Sequence, residues 1–120
     1  MQDEVTTPGS SAYAYPLLIK QLLLTPFVQA QDEEIVYRDQ FRMTCATLRE
    51  RIARLANGLS ELGVQHGSTV AVMDWDSHRY LECYFAVTMM GAVLQTVNVR
   101  LSPAEIAYTI NHARKARRWT

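Results

Sequence analysis

From Phe41 to Ala113 the apolar residues switch repeatedly between two spacings, and that switching limits the chain to few architectures. Leu48, Ile52, Leu55, Leu59 and Leu62 recur at intervals of four, three, four and three, which gives one apolar helix face. Arg49, Glu50, Arg51, Arg54 and Glu61 fall off that face. Gly63 ends the helix, because glycine takes the left-handed C-cap conformation at little cost. Thr69-Val70-Ala71-Val72-Met73 then runs without polar alternation, as a strand covered on both faces does. A second helix spans His78 to Met90, with Leu81, Tyr84, Phe85, Thr88 and Met89 inward, and Gly91 closes it. Ala92 to Val97 reads as the next strand. Ser102-Pro103-Ala104-Glu105 opens a last helix: serine caps, proline takes the first helical position, and glutamate completes a capping box. Ile106, Ile110 and Ala113 continue its stripe. The order β-α-β-α-β-α implies right-handed crossovers and a parallel sheet, a partial three-layer α/β/α unit.

Upstream the signals are weaker. Residues 1–16 are expected to be a flexible arm. Leu17, Leu18, Leu22, Leu23 and Phe27 suggest a short helix that docks one apolar face and ends near Pro26. After a polar loop over 29–34, Ile35-Val36-Tyr37-Arg38 and Phe41-Arg42-Met43 read as a hairpin with a two-residue turn at Asp39-Gln40. The hairpin is expected at the margin of the main sheet. Thr44 is placed to cap the helix that follows.

Charge excludes one class of partner. The formal net charge is zero, yet residues 114–120 carry +4, from Arg114, Lys115, Arg117 and Arg118. The preceding 113 residues are therefore at −4 and offer no basic face for nucleic acid. The basic tail suits a helix C-terminus electrostatically. Cys45 and Cys83 fit neither a metal spacing nor a CxxC pattern and read as buried free thiols. The opening Met-Gln-Asp-Glu-Val is acidic where a signal peptide is basic. The run from Pro16 to Leu24 is far below the roughly 20 apolar residues of a membrane span. A cytoplasmic location is expected.

Few residues suggest chemistry. Asp74 and Asp76 follow a parallel strand, where α/β proteins tend to bind ligands, and paired carboxylates there can hold magnesium. The simpler role is structural: Asp76 or Ser77 caps the next helix and Asp74 is solvated. A phospho-receiver domain would also need an acidic pair after its first strand and a lysine after a late one, and both are missing. His66, His78 and His112 show no zinc spacing and no serine elbow accompanies them. The turn Asp74-Trp75-Asp76-Ser77 lacks the glycines of a dinucleotide fold. Trp75, Tyr80, Tyr84 and Phe85 gather at one strand–helix junction and read as sheet-covering groups rather than an acyl pocket.

Three segments resemble the N-terminal region of the adenylate-forming acyl-CoA synthetases, within the fatty-acid–CoA ligase branch. Arg42 to Leu48 is similar to the family's strand-to-helix entry, with Cys45 at its tyrosine position and Thr47 at its glutamate position. Gly58 through Met73 resembles the helix end, loop and strand that follow. Gly91 to Ile106 is the most specific stretch; many relatives have proline near Thr96, and the Gln95-Thr96-Val97-Asn98 form suits the fatty-acyl branch. The resemblance covers residues 17–113, with 114–120 departing from the family pattern as a truncation or frameshift would. It implies a fragment of an ATP-dependent ligase that forms an acyl-adenylate and then an acyl-CoA. ATP, Mg2+ and coenzyme A are implied for the full-length family, together with a fatty acid and the remainder of the ligase as partners. The family's Ser/Thr/Gly-rich phosphate loop and catalytic lysine have no counterpart here; the lysines are Lys20 and Lys115. No catalytic, cofactor-binding or metal-ligating residue is therefore assigned, and the chain is expected to be inactive by itself. The alternative is a non-catalytic α/β module that binds a partner or self-associates as a homo-oligomer.

Overall fold

The computed structural model describes residues 16–116, with Gly9 and Ser11 ahead of them. Most of the expected arm over 1–16, and residues 117–120 of the basic tail, lie outside the described residues. A 3-10 turn, Ile19–Leu23, leads into α1 (Leu24–Val28). β1 (Glu34–Tyr37) and β2 (Phe41–Thr44) form the hairpin, and α2 (Cys45–Glu61) follows directly. β3 (Thr69–Val72), α3 (His78–Met89), β4 (Val93–Thr96) and α4 (Pro103–Ala116) complete the order. The α/β class holds, with a small antiparallel hairpin and a parallel sheet.

β3 and β4 are parallel and in register from Thr69 opposite Val93 to Val72 opposite Thr96. The hairpin does not join them: it forms a separate antiparallel pair, Glu34 opposite Thr44 through Tyr37 opposite Phe41. The reason lies in which side chains β2 turns inward. Met43 enters a core with Leu23, Leu48, Ile52 and Ala86, so β2 packs onto helices instead of onto a strand. The Phe41 ring stacks on His78, the first residue of α3, with centroids 3.9 Å apart. Helix α3 contacts both sheets and α2, and so occupies the centre of the molecule.

That position corrects the amphipathic reading of α3. Its buried residues are Tyr80, Glu82, Ala86 and Val87, which point to more than one side, while Tyr84 and Met89 are exposed. A helix pressed between a sheet and another helix needs two apolar faces, not one. The small Ala86, fully buried, lets α2 approach. The α2 stripe is buried at Leu48 and Ile52, half-buried at Leu55 and Leu59, and 83% exposed at Leu62. β3 is also less covered than expected, since none of its residues is buried and Met73 beyond it is exposed.

The caps follow the sequence closely. Thr44 Oγ1 accepts the Thr47 N–H at 3.2 Å. Ser102 Oγ accepts the Glu105 N–H at 3.3 Å, while Glu105 Oε2 accepts the Ser102 N–H at 2.9 Å, a complete capping box. Gly63 (φ 89°) and Gly91 (φ 76°) are both left-handed. At each, two backbone bonds close the helix: Gly63 N–H to Ser60 O with Val64 N–H to Leu59 O, and Gly91 N–H to Thr88 O with Ala92 N–H to Val87 O.

Three boundaries shift. The hairpin turn is Arg38–Gln40, with Arg38 and Asp39 both at positive φ and Gln40 N–H bonded to Tyr37 O. α1 contains Pro26 rather than ending there, because Pro26 sits in the first turn, where an N–H has no intrahelical acceptor to lose. Of the apolar residues expected to dock this segment, Leu23 and Phe27 reach the core, while Leu17, Leu18 and Leu22 are exposed. α4 extends past Ala113 to Ala116, taking in the start of the basic tail.

Candidate functional site

The carboxyl ends of β3 and β4 open onto a cleft of about 240 Å3. Parallel strands carry their ligand crevice at this end, because the loops that leave them splay apart there. One wall is the turn Asp74-Trp75-Asp76 after β3, the other is Asn98-Val99-Arg100 after β4, and Tyr80 and Tyr84 of α3 lie between.

The two strand ends are locked together by backbone: Val97 N–H donates to Val72 O at 3.0 Å, and Val97 is buried. Tyr80, 7% exposed, aims its hydroxyl at the same carbonyl, 3.4 Å away. Burial of that ring, more than the neighbouring ionisable groups, raises the phenol's pKa above its ordinary value. The β4 loop is folded by Asn98, whose Oδ1 accepts the Arg100 N–H at 2.9 Å. The Arg100 guanidinium then lies over the Trp75 ring, 5.6 Å from its centroid, and ties the two loops together.

Asp74 is committed to this scaffold rather than solvated. Its carboxylate accepts the Ser77 hydroxyl at 2.5 Å and the Trp75 N–H at 2.8 Å. The Ser77 bond, ahead of the smaller backbone contribution from Trp75, holds Asp74 below the ordinary carboxylate value. Ser77, not Asp76, is the cap of α3: its Oγ accepts the Tyr80 N–H at 3.3 Å. Among the described residues no three His, Cys, Asp or Glu side chains gather as a metal site would require. The cleft thus presents one cation, a free carboxylate at Asp76 and aromatic walls. These can orient a small polar ligand, but no nucleophile is paired with a base there.

The remaining candidates are dispersed. His78 stacks on Phe41, His112 stacks on Tyr108 at 5.7 Å, and the His66 ring lies against Gly91. Cys45 is buried and Cys83 half-buried, both as free thiols; burial, more than the adjacent Glu82, raises the Cys83 pKa. Tyr80 is a core aromatic, Phe85 is half-buried, and Trp75 and Tyr84 are exposed on the cleft. Sequence reasoning missed Glu82. This carboxylate is 6% exposed and meets Arg51 of α2, Nε to Oε1 at 2.5 Å and Nη2 to Oε2 at 3.4 Å. Arg51 in turn covers the Phe41 ring at 5.4 Å. No local signal marks the pair, since its members lie 31 residues apart.

Comparison with known proteins adds to this geometry. Residues 26–116 match the family described as AMP-binding enzyme. A long-chain-fatty-acid–CoA ligase of Thermus thermophilus is 54% identical over 72 residues, 60% of this chain and 13% of the relative. A 3-methylmercaptopropionyl-CoA ligase of Ruegeria lacuscaerulensis is 32% identical over 106 residues, 82% of this chain and 19% of the relative. A 2-methylpropanoate–CoA ligase of Humulus lupulus is 31% identical over 113 residues, 94% of this chain and 20% of the relative. The chain thus spans a fifth or less of the length of these relatives. Among the described residues no helix is long and apolar enough to cross a membrane. A match across three quarters of the sequence, which spans the hairpin and the whole parallel α/β unit, places this chain in the AMP-binding enzyme family.

Proposed function

We propose that these 120 residues are a scaffold-forming piece of an ATP-dependent acyl-CoA ligase and do not by themselves catalyse adenylation. The observation that carries this reading is the family match over residues 26–116 without a Ser/Thr/Gly-rich phosphate-binding loop in that span. The parent reaction would join a fatty acid to ATP as an acyl-adenylate with release of pyrophosphate. Coenzyme A thiolate would then displace AMP. ATP, Mg2+ and coenzyme A belong to that reaction, and the cytosol is its expected place. The chemistry depends on stabilising phosphate charge and aligning the carboxylate with the α-phosphate. The cleft offers a single cation, Arg100, stacked on Trp75, and it is outnumbered by Asp74 and Asp76, which repel phosphate. What the unit supplies is position, through the locked ends of β3 and β4 and the central helix α3.

Titration calorimetry with ATP-Mg2+, with a pyrophosphate-release assay over several fatty acids, tests this directly. No heat of nucleotide binding and no turnover are expected, and measurable turnover by the 120-residue chain defeats the reading. A second reading, self-association as a non-catalytic module, draws on the outer edges of β3 and β4, which among the described residues pair only with each other. Sedimentation separates the two: a discrete dimer supports the module.

A further inference from the structure

Asn57-Gly58 is a turn dipeptide of β-hairpins, yet it lies inside α2. Neither residue favours a helix interior, and glycine is the poorest helix former after proline. Its place in the helix matters. The buried residues of α2 are Cys45, Leu48 and Ile52, all in the N-terminal half. Leu55 and Ala56 still pack against the core, but from Asn57 onward no residue of α2 is buried, and Leu62 at its C-cap is 83% exposed. The last turn therefore rests mainly on its backbone bonds, closed by the left-handed Gly63.

The same two residues carry latent chemistry. The amide carbon of an asparagine side chain is an electrophile within reach of the next residue's backbone nitrogen. With glycine next, no Cβ hinders the approach, and a Cβ built at Gly58 meets nothing within 4 Å, so the surroundings leave it open too. Asn57 and Gly58 are both exposed, so water and hydroxide reach them. What restrains the reaction is the helix. There the Gly58 N–H points at the carbonyl of Arg54, and helical ψ at Asn57 holds the nitrogen away from Cγ. Unwinding the turn removes both restraints. The other asparagines lack this combination. Asn98 precedes the β-branched Val99, and its Oδ1 already accepts the Arg100 N–H; Asn111 precedes His112.

We propose that Asn57 is a self-modification site, gated by unwinding of the C-terminal end of α2. Hydroxide takes the Gly58 amide proton, and the nitrogen attacks Asn57 Cγ. A C–N bond forms, and the side-chain nitrogen leaves as ammonia, reprotonated by water. Water then opens the cyclic imide at either carbonyl, giving aspartate or, through the side chain, isoaspartate. Both products resist rewinding. A carboxylate at position 57 faces Glu61, four residues on, with like charge, and Arg54 is already paired with Glu50 at 3.6 Å. Isoaspartate also inserts a methylene into the backbone and breaks the helical register. The exposed end of α2 thus opens in one direction with age. None of this chemistry requires the ligase reading.

Incubation of the 120-residue chain in mildly alkaline buffer, with peptide mass spectrometry at intervals, tests it. The mass change of amide-to-acid conversion is expected at Asn57 ahead of Asn98 and Asn111, and more slowly than in guanidinium chloride, where the helix is absent. Gly63→Ala puts a side chain on the left-handed closing residue and should speed the folded chain about tenfold without changing the denatured rate. Ile52→Val weakens the folding constant through the core by about fivefold and should leave the Asn57 rate as it was, because the end of α2 opens by itself. Gly58→Ala should slow the reaction in both states, with about fivefold more effect in the folded chain because alanine also steadies the helix. Equal rates in the folded and denatured chains overturn the proposal. So does an Asn57 that stays intact in the folded chain while the denatured chain reacts. A rate raised about fivefold by Ile52→Val overturns it as well, since the opening would then be unfolding of the whole chain. Circular dichroism confirms that each variant is folded; should Gly63→Ala not fold, the Ile52→Val comparison decides.

Discussion

Glu82 shows how a single residue can contradict the surface pattern of its helix. It sits on α3 with its side chain 7% exposed, and its partner Arg51 is 34% exposed. A charge taken out of water is tolerable only when paired, and removing one partner of a buried pair costs about 3 kcal/mol or more. Arg51→Met should therefore destabilise the chain by about that amount, because the buried Glu82 is left without a counter-charge. Adding Glu82→Leu on the same background should recover most of the loss. Urea denaturation of the two single variants and the double variant measures this, with an unchanged m-value as the check that the end states are the same. Additive losses would show that the pair is not coupled. The sequence could not reveal this contact. A glutamate inside a helix reads as solvent-facing, and the arginine that neutralises it arrives from another element.

Elements were legible where their determinants are local. Thr44, Ser102 with Glu105, Gly63 and Gly91 each act within one turn, so their roles follow from neighbours in the chain. The hairpin turn was misplaced by one residue because its positive-φ positions are Arg38 and Asp39, with no glycine to announce them. The two closing glycines also separate two physical effects. Each has a left-handed φ that costs an L-residue roughly 1–2 kcal/mol. At Gly63 an added Cβ meets nothing within 4 Å, whereas at Gly91 it would overlap the His66 ring. Gly63→Ala should thus show the backbone cost alone, and Gly91→Ala a larger loss. Combining Gly91→Ala with His66→Ala should bring the cost down to the Gly63→Ala value. Thermal melts of the four chains test this. Equal losses at the two glycines would mean that the exposed His66 swings aside freely.

At the scale of the whole molecule, periodicity identifies which side of an element is apolar but not whether anything covers it. The α2 stripe is one pattern from Leu48 to Leu62, yet the structure gives its two ends opposite environments. Leu48 is 3% exposed, packed with Met43, Ile52 and Ala86, and Leu62 is 83% exposed. The same gap separates the expected from the observed β3, which reads as doubly covered and is half-open. It also explains why the cleft at the strand ends was legible in part: Asp74 and Trp75 were placed by their position after a strand. Arg100 over Trp75 depends on how two loops meet in space and leaves no sequence trace. The contrast along α2 can be measured. Leu48→Ala should cost about 3 kcal/mol, the transfer free energy of the lost side chain plus the cavity left among its neighbours. Leu62→Ala should change stability by less than about 0.5 kcal/mol, since little burial is lost. Urea midpoints of the two variants, taken at a concentration where sedimentation shows monomer, give the comparison. A large loss at Leu62 would mean that the exposed end of α2 is covered in solution, and its dependence on protein concentration would identify the cover as a second copy.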